Sequence, residues 1–151
     1  MTPLKFRALI DGRFVYSDGK EEWIDLVENS WEHKVTEYNG GYSVVQTEDI
    51  SQYTGLKDKN GKEIYEGDVV LIPDTYTETV DVGIGNMPIA QMPDNHLCEV
   101  IFENGSFKFV ITESYDVYSK GKYTYDFLEE ENGIDELEVI GNIYQNKDLL
   151  T

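Results

Sequence analysis

The 151-residue sequence has little cysteine and no long hydrophobic run: Cys98 is its one cysteine, and its longest apolar stretch is residues 69–72. A single thiol cannot form an intramolecular disulfide, which favours a reducing compartment. A membrane-spanning helix needs about 20 predominantly apolar residues, and the N-terminus lacks the pattern of a secretory signal. The sequence therefore predicts a cytoplasmic protein with no membrane partner.

Basic residues are also scarce, since 12 Lys and Arg stand against 30 Asp and Glu, for a formal net charge of −18. Such a charge repels phosphate backbones, which lysine and arginine usually neutralise. The nearest thing to a basic patch is Lys57, Lys59 and Lys62, but acidic residues interleave with them. We interpret that stretch as a solvated turn and expect no direct contact with nucleic acid.

Zinc ligands are few, because the chain offers only His33, His96 and Cys98 as histidine and cysteine donors. His96 and Cys98 would share one face of a strand, but two ligands do not complete a tetrahedral site. With 40% hydrophobic residues, a chain of this length needs no metal to hold a core. We therefore expect no cofactor and an inert Cys98 in the core.

Carboxylates are abundant, and pairs of them could in principle support hydrolysis or bind Mg²⁺. The candidates stand near predicted turns, where charged runs are normally solvated: Asp116, Glu129, Glu130, Glu131, Asp135 and Glu136. The sequence has no P-loop, nucleophile elbow or His-Glu-x-x-His motif, and Gly83-Ile84-Gly85 is not placed like a dinucleotide fingerprint. The prediction is a non-enzymatic protein with no catalytic, cofactor-binding or metal-binding residues.

Turn signals are frequent, since six of the thirteen glycines follow Asn or Asp. This dipeptide is typical of two-residue β-hairpin loops, whose central residues need positive φ. The six pairs are 11–12, 18–19, 39–40, 60–61, 104–105 and 132–133. They predict a mainly β protein with little helix.

The clearest hairpin comprises residues 97–103 and 106–111 around Asn104-Gly105. That loop predicts three apolar cross-strand pairs on one face: Phe102 with Phe107, Val100 with Phe109, and Cys98 with Ile111. The opposite face is mixed, as expected next to water. We expect the apolar face of this hairpin to line the core.

The remaining pattern predicts a sheet around residues 68–72, a nearly continuous apolar strand that ends at Pro73 and should be central and buried. Residues 137–140, continuing through Gly141 to 143–144, are expected to close this sheet. Residues 74–94 contain two prolines and two glycines with little periodicity, which predicts a long loop or a mobile insertion. Short helices are expected only within 114–128 and 146–150.

The first fifty residues are predicted to be β-rich, with strands at 6–10, 14–16, 23–26 and 34–38, the last pairing with 42–45. A turn at Asp11-Gly12 would pair Leu9 with Phe14 and Ile10 with Arg13. We divide the chain into a β-rich N-terminal segment, residues 1–50, and a domain of residues 51–151. The sequence leaves open whether the first segment packs on its own chain or on a neighbour.

Three segments together resemble the YopX family of phages and prophages: KFRA at residues 5–8, QYTGLKDKNGKEIYEGDVV at 52–70 and EVIGNIY at 138–144. Leu9 departs from the family's usual tryptophan, and Lys147-Asp148 departs from its proline-containing tail. The resemblance implies an SH3-like β barrel in the C-terminal two thirds, a phage origin and a homo-oligomer. It implies no enzymatic activity and supplies no catalytic residue.

The middle segment also has a physical interpretation of its own. Gly55 and Asn60-Gly61 suit positive φ, Ile64 and Tyr65 supply an apolar anchor, and residues 66–68 lead into the buried strand. Folding alone therefore explains this motif. Four of the eleven tyrosines could cover an interface or pack within one chain: Tyr115, Tyr118, Tyr123 and Tyr125.

Three functions are compatible with these features. The first is a phage or prophage accessory protein, a non-enzymatic oligomeric scaffold or binding module with a host or phage protein as partner. The second is an acidic DNA mimic that inhibits a host nucleic-acid-binding protein, suggested by the net charge of −18. The third is a carboxylate-based, metal-dependent hydrolase.

Overall fold

The computed structural model describes residues 4–36, 40–45, 50–73, 75–93, 95–114, 123–126 and 136–150. Within this part the chain is mainly β, as predicted. Its strands are β1 (Phe6–Ile10), β2 (Arg13–Tyr16), β3 (Glu22–Val27), β4 (Ser30–Val35), β5 (Tyr42–Val45), β6 (Ile50–Lys57), β7 (Glu63–Tyr65), β8 (Asp68–Ile72), β9 (Thr75–Asp81), β10 (Asn86–Pro93), β11 (His96–Glu103), β12 (Ser106–Ser114), β13 (Tyr123–Asp126) and β14 (Glu138–Asn142). The short 3-10 helix Lys147–Leu150 confirms one predicted helical segment.

The largest sheet has the order β13-β12-β11-β8-β14 and curls into half a barrel. Strand β8 is central, because it pairs with β11 on one side and β14 on the other, and its first three residues are buried. This confirms the prediction for residues 68–72. Strand β14 ends the sheet instead of closing it, since β8 is its one partner among the described strands.

The hairpin β11–β12 has the predicted register, with Phe102 opposite Phe107 and Val100 opposite Phe109. Asn104 and Gly105 have φ values of 52° and 80°, as a type I′ turn requires. The inner face forms the main core together with Ile64, Val70 and Leu137. Phe102 differs from its predicted place in the core, because it lies at the end of the ribbon and is 46% exposed.

The N-terminal strands β1 to β5 form two further sheets with β6 and β7, in the orders β2-β1-β6-β7 and β3-β4-β5. The predicted pairing around Asp11-Gly12 is confirmed, with Leu9 opposite Phe14 and Ile10 opposite Arg13. Strand β1 also pairs with β6, so the N-terminal residues pack on their own chain. Their core consists of Ala8, Val15 and Ile24, with partly buried aromatic and aliphatic side chains around them.

Two predictions about loops and helices were wrong. Residues 75–93 are not a long loop, because β9 and β10 form a two-stranded antiparallel hairpin whose register shifts between Pro88 and Ala90, while residues 74 and 94 lie outside the described residues. The predicted helix within 114–128 is contradicted at Tyr123–Asp126, which is strand β13. In both places pairing between strands overrides weak local preference. The rest of that predicted helix, residues 115–122 and 127–128, lies outside the described residues.

The turn between β3 and β4 was not predicted, and it displaces β4 from the predicted 34–38 to Ser30–Val35. Glu28 and Asn29 both have positive φ, 50° and 68°, and connect the paired residues Val27 and Ser30. No glycine marks this turn, which is why the sequence signal failed. The predicted pairing with Tyr42–Val45 is nevertheless present, with Lys34 opposite Tyr42.

Candidate functional site

The three segments that carry the family resemblance meet at one buried point, where the N-terminal sheet contacts the half-barrel. We call Arg7, Tyr65, Gly67, Asp68 and Tyr144 the motif junction. Arg7 comes from β1, Tyr65 ends β7, Asp68 begins β8 and Tyr144 follows β14. Strand pairing therefore brings together side chains that are far apart in the sequence.

The centre of the motif junction is a buried ion pair. Arg7 Nη2 donates to Asp68 Oδ1 at 2.5 Å, and the two side chains are 4% and 2% exposed. The second carboxylate oxygen of Asp68 accepts the backbone N–H of Tyr65 at 2.8 Å. Burial raises the pKa of Asp68, while Arg7 and the Tyr65 N–H oppose that rise because they favour the ionised form. Both carboxylate oxygens are thus held by groups of the chain itself.

Aromatic rings enclose the Arg7 guanidinium. Its central carbon lies 3.9 Å from the ring centroid of Phe14 and 4.6 Å from that of Tyr65, both within cation–π range. Burial raises the pKa of the Tyr65 phenol above its ordinary value. Arg7 Nε and the Tyr65 hydroxyl have no hydrogen-bond partner among the described residues. The arrangement orders a cation between rings and leaves no charged group open to a substrate.

Gly67 allows the backbone to approach the tyrosine at this point. Its φ is 86°, and a Cβ atom there would lie 2.8 Å from Cε2 of Tyr144. The Gly67 N–H donates to the carbonyl of Val100, and the Gly67 carbonyl accepts the N–H of Ile143. Both the positive φ and the close ring require glycine. The predicted role of this residue at the entry to β8 is confirmed.

Asp58 is a second organising carboxylate, which joins the middle segment to β14. Its Oδ1 accepts the backbone N–H groups of Asn60 and Lys62 at 2.8 and 2.9 Å, and its Oδ2 accepts that of Val139 at 2.9 Å. Burial alone would raise the pKa of Asp58, but these three donors outweigh it and lower the pKa. The stretch around Lys57, Lys59 and Lys62 is therefore the predicted turn, fixed by an acidic side chain.

Replacing Asp58 with asparagine is expected to lower the free energy of unfolding at pH 7 by about 1–3 kcal/mol, because the amide nitrogen cannot accept a hydrogen bond. The folded-state pKa is depressed, so the stabilisation is complete above the unfolded-state value and is lost as the pH falls through the folded-state value. The difference between wild type and Asp58→Asn should be constant from pH 7 to 5 and shrink below about pH 4. Urea unfolding at several pH values measures it.

The matched control for this prediction is Asp25→Asn, which alters an exposed carboxylate paired with Lys34 at 3.0 Å. An exposed pair of this kind contributes at most about 1 kcal/mol. Equal losses for the two variants at pH 7 would contradict the role given to Asp58.

A second polar cluster lies between the two N-terminal sheets and was not predicted from the sequence. Glu22 contacts Arg13 Nη1 at 2.6 Å through Oε2 and His33 Nε2 at 2.5 Å through Oε1. The Arg13 hydrogen bond lowers the pKa of Glu22, with His33 adding to the effect while burial opposes it. Arg13 is half exposed, and its opposite charge balances that of Glu22. The cluster links β2, β3 and β4.

The structure separates the residues considered as zinc ligands. Cys98 is fully buried in the main core, as predicted, while His96 is half-buried two residues away on β11. His33 lies in a different sheet, beside Glu22. Among the described residues, no group of three or more histidine, cysteine, aspartate or glutamate side chains could hold a metal ion.

Most of the other candidate residues lie outside the described part of the chain or at the protein surface. Glu136 is exposed, whereas the structures of Asp116, Glu129, Glu130, Glu131 and Asp135 are not described. Gly83-Ile84-Gly85 follows strand β9 and precedes strand β10, so it is a hairpin tip and opens no helix. Tyr123 and Tyr125 lie on β13, paired with Ile111 and Phe109, whereas Tyr115 and Tyr118 are outside the described part.

The same segments that build the motif junction lie within a family match. Residues 5–151 match the family described as YopX protein. The chain belongs to the YopX family. No curated protein matches it. A solved structure that is similar over 100% of both chains is the crystal structure of protein EF1440 from Enterococcus faecalis, with 22% identity and a TM-score of 0.49.

Family membership raises the question of what the shared residues at the motif junction do. The residues that carry the YopX resemblance include Arg7, Gly67 and Asp68, and all three are used in contacts within the chain. In the described part of this YopX chain, no helix is long and apolar enough to cross a membrane.

The buried ion pair was not predicted from the sequence, because its partners are 61 residues apart. The sequence did contain one signal for a buried charge, because Arg7 is a charged residue within the otherwise apolar strand Phe6–Ile10.

Proposed function

We propose that this YopX chain is a non-enzymatic accessory protein of a phage or prophage, which acts as an oligomeric binding or scaffold module in the bacterial cytoplasm. The observation that carries the proposal is the burial of the motif junction, where Arg7 and Asp68 neutralise each other and face the protein interior. Residues that define the family thus maintain the fold. We therefore assign the biological role to residues on the outer surface.

The proposal includes an SH3-like small barrel formed by residues 51–151. Supporting it are the five-stranded antiparallel sheet, its curl into half a barrel and the 3-10 helix at Lys147–Leu150. Register shifts between Leu97 and Cys98 and between Val139 and Gly141 increase local twist, as in other curled sheets. Such a scaffold presents its loops and hairpins to partners.

Exposed apolar side chains support a role in association. They are concentrated in the β9–β10 hairpin, where Val80, Val82 and Met87 are between 41% and 49% exposed and Ile84 is 98% exposed. Exposed apolar patches of this kind mark interaction surfaces in soluble proteins. We therefore assign the binding role to these surface residues and not to the motif junction.

Multi-angle light scattering of the full chain tests the proposal. At micromolar concentration and about 0.5 M NaCl, where repulsion between chains of −18 charge is screened, we expect a mass at least twice the 17.3 kDa of one chain. The matched control is the same measurement at about 0.02 M NaCl, where screening is weak and the mass should fall. A mass of one chain at both salt concentrations would overturn the oligomeric scaffold.

A further inference from the structure

The β9–β10 hairpin is an arm whose two strands form a sheet of their own. Residues 77–91 are exposed throughout, on both faces of the ribbon. An isolated two-stranded hairpin is at best marginally stable in water, whereas three or more strands with an apolar face can be independently stable. The arm therefore has both the open edges and the apolar side chains needed to extend its sheet with another strand.

The two edges of the arm are not equivalent. Strand β10 contains Pro88 and Pro93, which lack a backbone N–H, and its register shifts between Pro88 and Ala90. Proline and bulges are the devices that block an edge strand from pairing. Strand β9 has the sequence TYTETVD, rich in β-branched residues and without proline. Only β9 among these two presents an edge suited to further pairing.

The low charge of the arm allows a second copy of this chain to serve as the added strand. The chain carries −18, so two copies repel one another over most of their surfaces. The arm carries just two charged residues, Glu78 and Asp81, both on β9. Antiparallel pairing of β9 with itself about Thr79 would place Glu78 opposite Val80 of the second copy and Thr77 opposite Asp81. No carboxylate then faces another carboxylate directly, which avoids the like-charge pairs that destabilise sheets.

We propose that β9 pairs antiparallel with β9 of a second copy around a two-fold axis at Thr79. The result is a four-stranded sheet of order β10-β9-β9-β10. Residues at even positions of the two β9 strands share one face, because side chains alternate along a strand. Val80 and Met87, which are cross-strand neighbours in each arm, therefore lie on that face together with Glu78, and the two Val80 side chains are diagonal to each other across the axis. This inference rests on the proposed oligomer and specifies its contact.

Cysteine cross-linking tests this register. In Thr79→Cys the two introduced thiols would lie opposite each other, with Cα atoms about 4.5–5.5 Å apart, which suits a disulfide. In the matched variant Thr77→Cys the two thiols would be displaced by four residues, about 14 Å along the strands, beyond disulfide reach. Both threonines are exposed on the same strand, and the native Cys98 is fully buried.

Under mild oxidation we expect Thr79→Cys to form a disulfide-linked dimer on the order of tenfold faster than Thr77→Cys. An equimolar mixture of Thr77→Cys and Asp81→Cys should form the mixed dimer, because these positions face each other across the proposed axis. Non-reducing electrophoresis and mass spectrometry identify the products. Circular dichroism of each variant checks that the sheet content is unchanged.

The outcomes separate this inference from the proposed function. If light scattering shows an oligomer but Thr79→Cys cross-links no faster than Thr77→Cys, the β9 contact is wrong and the oligomeric scaffold stands. If the wild-type chain is a monomer under the conditions above, both are wrong. If only Thr77→Cys cross-links rapidly, the proposed pairing about Thr79 is wrong and β9 pairs with β9 in another register.

Discussion

Replacing Asp68 with alanine is expected to lower the free energy of unfolding by about 3–5 kcal/mol, because it leaves the Arg7 guanidinium charged, buried and unpaired. The Arg7 and Asp68 side chains are 4% and 2% exposed, so almost none of their surface is in contact with solvent. The variant also loses the acceptor for the Tyr65 backbone N–H. Urea-induced unfolding monitored by circular dichroism measures the effect.

The control for this prediction is Asp25→Ala, which breaks the surface pair with Lys34. Those side chains are 54% and 29% exposed, and exposed pairs of this kind contribute at most about 1 kcal/mol. A loss for Asp68→Ala as small as that for Asp25→Ala would show that the motif junction does not maintain the fold. The family motif would then require another explanation.

The second large effect is expected in the main core, where Phe109→Ala should cost about 3–5 kcal/mol. Phe109 is fully buried and packs among Val100, Ile111 and the other residues of the half-barrel. Its removal deletes an aromatic side chain and leaves a cavity that the surrounding strands cannot fill completely. Thermal and urea unfolding should show a cooperative transition at lower stability.

Phe102→Ala is the matched control, since Phe102 lies on the same hairpin and pairs with Phe107 across it. At 46% exposure it buries much less area, so its loss should cost about 1 kcal/mol or less. Similar losses for the two phenylalanines would mean that the whole face of the hairpin lines the core, as the alternation of the sequence predicts. The structure instead limits the core to the inner part of this face.

Local sequence signals predicted the parts of the fold that depend on neighbouring residues. The Asn104-Gly105 turn determines the register of β11 and β12, and Asp11-Gly12 does the same for β1 and β2. Both turns have positive φ at two successive residues, which these dipeptides favour. The exposure of Phe102 could not be predicted in this way, because it depends on where the sheet ends and on which elements cover it.

The hairpin of β9 and β10 was missed for a different reason. Proline and glycine normally indicate a loop, but Gly83 and Gly85 lie in the tip of this hairpin, and Pro88 adjoins a register shift in it. Each such residue has a specific place in a two-stranded ribbon. The pattern of these positions becomes clear only when the pairing partner is known.

Contacts between distant segments could not be predicted from the sequence. The Asp58 carboxylate and the Val139 N–H are 81 residues apart, and Arg7 and Asp68 are separated by 61. A single sequence contains no signal that pairs such residues. The three family segments meet at the motif junction, where an ion pair joins the first two and the ring of Tyr144 from the third packs against Gly67.

A double-mutant cycle on Arg7 and Asp68 is the most direct test of the claim that this ion pair joins the first two family segments. Unfolding free energies would be measured for the wild type, Arg7→Ala, Asp68→Ala and the double variant under identical conditions. The account predicts a coupling energy of about 2 kcal/mol, within the range of directly contacting residues. Additivity of the two single effects to within about 0.5 kcal/mol would contradict it.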